Sequence, residues 1–241
     1  MARVQDIVAK ADPAKRDAFE QRLEMSWIYH DSVLEGNVYT PEELTQALSD
    51  GEVTDTNLIP VFDEIRNHKR AIALVRELAD KKRLSISLDV IKKIYGTLNP
   101  EEAEGKGPPK YRKEIPLHRL YFHDIAPPDK ISYRVRQLLQ WMGSAETKRS
   151  MHTVRLAAKA HYELLQIYPF PKHSGKVARL IMNLILIRQG YPPVIVHATE
   201  RQRYYDALKT SFDATAGIVT EALGAAVEST IHFFENDGRA A

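Results

Sequence analysis

Apolar side chains recur at helical spacing through almost the whole of this chain, and that periodicity restricts it to a mainly α architecture. Residues 4–30 carry Val4, Ile7, Val8 and Ala11, then Phe19, Leu23, Trp27 and Ile28, and Pro13 divides the stretch into two helices. Gly36-Asn37 reads as a helix stop. Thr40-Pro41-Glu42-Glu43 reads as a restart, with Thr40 as N-cap, Pro41 at the first helical position and Glu43 closing a capping box. Asp50-Gly51 ends that helix. Further helices are expected over 61–79, 87–97, 130–143, 147–167, 176–189, 201–212 and 218–234. Residues 100–109 read as a loop, 191–193 as a turn and 235–241 as a frayed tail.

One segment breaks the pattern. In 115–125, Leu117, Leu120, Phe122 and Ile125 do not keep helical spacing, and Pro116, Pro127 and Pro128 bracket them. A short β-hairpin or an extended flap is expected there.

Composition excludes several classes of function. The 34 basic and 32 acidic residues give a net charge of +2, without the basic excess of a general DNA binder. There is no cysteine, hence no disulfide, thiolate metal site or cysteine nucleophile, which fits a cytoplasmic setting. Residues 1–20 are too charged for a signal peptide, and the most apolar run, 180–187, is too short to span a membrane.

The chemistry concentrates at residues 167–179, Ile-Tyr-Pro-Phe-Pro-Lys-His-Ser-Gly-Lys-Val-Ala-Arg, where a loop feeds a helix start. A helix N-terminus offers unpaired N–H groups and a positive dipole end, a ready anion site. Lys172, Lys176 and Arg179 reinforce it at spacings of four and three, with His173 added when protonated. The bare reading leaves two alternatives, a phosphate site or a solvated basic helix start.

In register from Tyr168 to Arg179, this segment resembles the signature of the Fic family, His-Pro-Phe-x-Asp/Glu-Gly-Asn-Gly-Arg-x-x-Arg. The flanks agree: residues 154–162 resemble the helix before the signature, 180–186 and 190–195 the helix and turn after it, 203–208 the next helix, and Tyr111-Arg112 a pair that precedes the hairpin. Asp31-Ser-Val-Leu-Glu35-Gly36-Asn37 resembles the family's inhibitory motif, Ser/Thr-x-x-x-Glu-Gly/Asn, with Asp31 in place of the hydroxyl residue. The resemblance implies a mainly α Fic fold, a helical bundle with a β-hairpin flap beside the signature loop. It implies N-terminal helices over 1–38 that include the inhibitory one, a Fic domain over 39–234 and a tail over 235–241. It also implies that Glu35 pairs with Arg179 and blocks the γ-phosphate of ATP.

By the same resemblance the base position holds Tyr168, and a phenol of pKa about 10 is a poor base at neutral pH. The Mg²⁺-ligand position holds Lys172, and an ammonium cannot ligate Mg²⁺, so no metal is expected at the usual site. The anion loop becomes His173, Ser174 and Gly175; a positive φ at His173 would be strained. Lys176 replaces the first Arg and loses its bidentate geometry, while Phe170, a core anchor, and Arg179 are kept. The hairpin is similar to the family's target flap, where Leu117, His118, Arg119, Leu120 and Tyr121 would pair with an extended segment of a protein partner. His118 and His123 read as surface groups rather than metal ligands. Tyr204 and Tyr205 are read either as adenine-pocket walls or as ordinary helix packing. The expectation is a protein of the adenylyltransferase (AMPylation) family that binds ATP or another nucleotide, with AMP transfer lost or altered, a pseudoenzyme. Two alternatives stay open: a metal-independent nucleotidyl or phosphoryl transferase, and a regulatory interaction protein without nucleotide.

Overall fold

The computed structural model describes residues 2–49, 55–103, 109–117 and 123–236. They form α1 (Ala2–Lys10), α2 (Pro13–Glu35), α3 (Pro41–Leu48), α4 (Ile59–Asp80), α5 (Leu88–Leu98), α6 (Pro100–Ala103), α7 (Ile131–Gly143), α8 (Ala145–Ser150), α9 (Thr153–Ile167), α10 (Ser174–Ile187), α11 (Arg201–Thr210) and α12 (Phe212–Asn236), with short 3-10 turns. Among the described residues there is no strand. The hairpin expected over 115–125 therefore has no strand in its described part, 115–117 and 123–125, and its remainder lies outside the described residues. No helix among the described residues is long and apolar enough to cross a membrane.

Helix α10 is the centre of the bundle. Every residue from Ser174 to Leu186 is buried, and α9, α4, α5 and α2 pack around it. A helix buried on every side, and apolar over most of its length, is stable only when enclosed. Truncating one of its large side chains, such as Leu184, would cost about 2–5 kcal/mol.

Helix α2 is fixed at both ends by its own sequence. Asp12 caps it by accepting from the Ala14 N–H at 2.8 Å, with Pro13 at its first position. At the other end Gly36 adopts φ 98°, and the N–H groups of Gly36 and Asn37 donate back to the Val33 and Ser32 carbonyls. That Schellman closure needs a residue free of the left-handed penalty, which glycine supplies. Its last turn is further held by the Leu34 carbonyl, which accepts from Tyr205 Oη at 2.9 Å and Arg201 Nε at 3.3 Å. The final residue of α2, Glu35, is thus set against the start of α10.

Candidate functional site

The loop between α9 and α10 carries two non-glycine residues in the left-handed region, Tyr168 at φ 47° and His173 at φ 53°. Each costs on the order of 1 kcal/mol, so the surroundings must hold them. Arg112 does much of this. Its Nε donates to the Tyr168 carbonyl at 2.6 Å, Nη2 to the Ile167 carbonyl at 3.2 Å and to that of Ala126, and Nη1 to that of Glu114 at 3.0 Å. Its backbone N–H donates to Pro169 at 3.0 Å. Phe170 is fully buried and stacks on Tyr95 with centroids 3.9 Å apart, so its reading as a core anchor matches its place. Ser174 Oγ turns back on the loop, accepting from the Phe170 N–H at 2.7 Å and donating to the Phe170 carbonyl at 3.0 Å.

The charged residues at the helix start do not form one cationic side. Lys172 is exposed on the loop, whereas Lys176 and Arg179 point inward and are almost wholly buried. A buried cation needs a partner, and each has one. Lys176 Nζ donates to Glu64 Oε1 at 2.8 Å, and Glu64 also accepts from Asn37 Nδ2 at 2.8 Å. Burial alone would raise the Glu64 carboxyl, but Lys176 outweighs it and holds the group down to about 2. Arg179 donates through Nε to Asp31 Oδ1, through Nη2 to Glu35 Oε1 at 2.6 Å, and through Nη1 to Tyr204 Oη at 3.4 Å. Asp31 is 3% exposed; against the penalty of that burial, Arg179 and then His68 hold it well below the usual carboxylate range. His68 Nε2 lies 3.1 Å from Asp31 Oδ2.

Glu35 reaches the place an anion would take at the start of α10. A Cβ built on Gly175 would lie 2.0 Å from Glu35 Oε1 and 3.1 Å from Arg179 Nη1. Gly175 is therefore the gap that admits the carboxylate to the positive end of the helix. The Glu35–Arg179 pairing that the resemblance implies is present as geometry.

The nearby histidines add no charge. Burial, then Lys176, pushes His173 down to about 4, so it does not join the cations as expected at neutral pH. Burial, then Arg179, pushes His161 down to about 3, and its Nε2 lies 2.8 Å from Tyr204 Oη. His68 is also lowered, first by burial. Two carboxylates on Arg179 and one on Lys176 then leave this cluster of described residues with one negative charge in excess, the reverse of the basic loop the sequence suggested.

The other expected positions fall out as follows. Tyr168 is 1% exposed, with its backbone held by Arg112. Tyr204 and Tyr205 are buried, with Tyr204 Oη 3.4 Å from Arg179 Nη1. Leu117 is 78% exposed; His118, Arg119, Leu120 and Tyr121 lie outside the described residues. His123 is not a surface group: it is 6% exposed, with Nε2 3.0 Å from the Leu165 carbonyl, because the chain tucks against α9 there. A cavity of about 620 Å³ opens elsewhere, between α2, residues 192–200 and α12, and no signature residue lines it.

This arrangement of helices has known counterparts. Residues 85–186 match the model of the Fic/DOC family. The chain carries a Fic/DOC domain. It is 28% identical over 226 residues to the protein adenylyltransferase Fic of Drosophila ananassae, covering 92% of this chain and 42% of that protein, so the chain spans about two-fifths of the relative's length. Among solved structures, a Fic domain containing signaling protein from Bacteroides thetaiotaomicron superposes with a TM-score of 0.80 at 18% identity, over 97% of this chain and 95% of that one. Fic-1 from C. elegans gives 0.76 at 23% identity, over 95% and 70%. IbpAFic2 covalently tethered to Cdc42 gives 0.53 at 19% identity, over 85% and 70%. In this Fic domain α9, the signature loop and α10 all fall inside the matched residues, up to Leu186. Asp31, Glu35 and Glu64, which neutralise its cations, fall outside them.

Proposed function

We propose that this chain is a Fic-fold protein of the adenylyltransferase family whose AMP-transfer chemistry is lost, and whose phosphate site is occupied by its own carboxylates. The observation that carries this reading is the Glu35 carboxylate seated against Gly175 and Arg179 at the start of α10. An incoming triphosphate needs that place and those donors.

The reacting positions support it. Tyr168 is buried, so its phenol is not presented to a target hydroxyl arriving from solvent. Lys172 stands where the resemblance puts the Mg²⁺ ligand, and an ammonium has no lone pair to give. The residues present do not fit the metal. The finer parts of the reading are that α2 is an inhibitory helix, that nucleotide enters once its carboxylates withdraw, and that a protein partner docks along 115–125. Exposed Ile115 and Leu117 support the last of these, as does the tethering of IbpAFic2 to Cdc42.

A specific observation favours a second reading, an interaction protein without nucleotide: both inward cations at the helix start already have carboxylate partners. Incubation with radiolabelled ATP, Mg²⁺ and a cell extract tests the transfer question, and a calorimetric titration tests binding. With the label in the α-phosphate, expected are no labelled protein beyond those of the extract alone and a weak or flat titration for the wild type, with no added label for Glu35→Ala. Robust labelling by the wild type would sink the pseudoenzyme reading.

A further inference from the structure

We infer that Asp31 is a second lock on Arg179, acting independently of Glu35, so that the site opens to a phosphate only when both carboxylates are displaced. This rests on the reading of the α10 start as a phosphate site.

Asp31 and Glu35 are four residues apart on α2 and so share one face. Each takes a different nitrogen of the same guanidinium. Asp31 accepts from Nε, and Glu35 accepts from Nη2 at 2.6 Å. The two side chains are 3% and 9% exposed, so neither pair is screened by water. Asp31 lies close to two further groups. His68 Nε2 lies 3.1 Å from its other oxygen, and its backbone carbonyl lies 3.5 Å from Arg179 Nη2.

If Glu35 swings away, Arg179 stays neutralised and stays aimed at α2. An anion arriving at Gly175 then meets an Arg–Asp pair of zero net charge on one side and the Lys176–Glu64 pair on the other. A serine or threonine at 31 would give Arg179 a neutral hydrogen bond and leave its charge available. The carboxylate removes that charge from the site. Asp31 thus determines which ligands the site admits, and Glu35 alone does not.

The test compares the wild type with Glu35→Ala, Asp31→Asn and the double variant; Asn keeps the shape of Asp without its charge. Two quantities are read: hydrogen exchange at residues 31–36, and ATP affinity by calorimetry. Each single variant should exchange at 31–36 within threefold of the wild type, and the double variant at least tenfold faster. ATP affinity should rise at least tenfold in the double over Glu35→Ala. The proposal is overturned if Glu35→Ala alone raises both readings as far as the double does, or if the double exchanges no faster than the wild type. Faster exchange in the double with no ATP binding leaves the lock standing and removes the phosphate-site reading instead. Melting curves report whether each variant is folded; if the Asp31→Asn double is not, Asp31→Ser in the Glu35→Ala background repeats the comparison under the same two criteria.

Discussion

Gly175→Ala would test the seat of Glu35 without touching a charge. The new methyl would sit 2.0 Å from Glu35 Oε1, and 2.9 Å from its Cδ, so the carboxylate must leave the start of α10. The Arg179 tip, 3.1 Å away, needs to yield only a few tenths of an ångström. Losing a buried charge-assisted hydrogen bond costs about 1.5–3 kcal/mol. Replacing glycine by alanine in a helix returns up to about 1 kcal/mol. The net loss in the wild-type background is then about 0.5–2 kcal/mol. In a Glu35→Ala background there is nothing to expel, and the same change should stabilise by up to about 1 kcal/mol. The coupling between the two positions is therefore about 1.5–3 kcal/mol, well above the few tenths expected of independent sites. Urea unfolding of the four proteins measures it. Equal effects of Gly175→Ala in the two backgrounds would refute the placement of Glu35 over the helix start.

Three further outcomes are expected. Arg112→Lys should cost about 2–4 kcal/mol in urea unfolding, because an ammonium cannot span the carbonyls of Ile167, Tyr168, Ala126 and Glu114; a loss below about 1 kcal/mol would contradict its part in holding the loop. Folding lowers His161 to about 3 and His30 and His173 to about 4, so the unfolded chain takes up protons first: stability should be complete above pH 6.5 and fall as pH drops through that interval, by at most about 4–5 kcal/mol for His161, and His161→Gln should flatten the pH profile of the melting temperature. Tyr168→His with Lys172→Asp, the residue types of the Fic signature, should yield no labelling from ATP while Asp31 and Glu35 remain and detectable labelling once both are replaced; labelling with both in place would show that the carboxylates do not close the site.

What is local was legible in the sequence. The capping box at Thr40 and Glu43 forms with bonds of 3.1 and 2.8 Å, and Pro13 and Gly36 bound α2 as read, because caps depend on neighbours a few residues apart. One helix break was missed and another misplaced for a related reason. Residues 147–167 divide at His152, which caps α9 through its side chain, and Ser211 caps α12, which starts at Phe212 rather than 218. Imidazole and hydroxyl caps carry a weaker signal than proline or glycine. The site itself was legible only by its residue types. Glu64 stands 112 positions before Lys176, and nothing near it marks it as a partner. His68, His161 and the inward turn of Lys176 depend on burial, which a count of charges cannot register. Adding up lysines, arginines and histidines gave a basic loop, whereas pairing them in space gives a neutral to acidic one.

The self-sufficiency of that cluster sets how the chain tolerates change. Arg179 and Lys176 are neutralised from within, so the folded state does not depend on a ligand to stabilise its charged interior. A position that would meet only the ligand then has no structural duty, and Lys172, out in solvent, can be exchanged at little cost to the fold. A change at Arg179 instead takes the cation from Asp31 and Glu35, both mostly shielded from water, and one at Lys176 takes it from the half-buried Glu64. Mutational load therefore falls unevenly across one short motif: the exposed Lys172 is expendable, and the positions that keep the ends of α2 and α10 together are not.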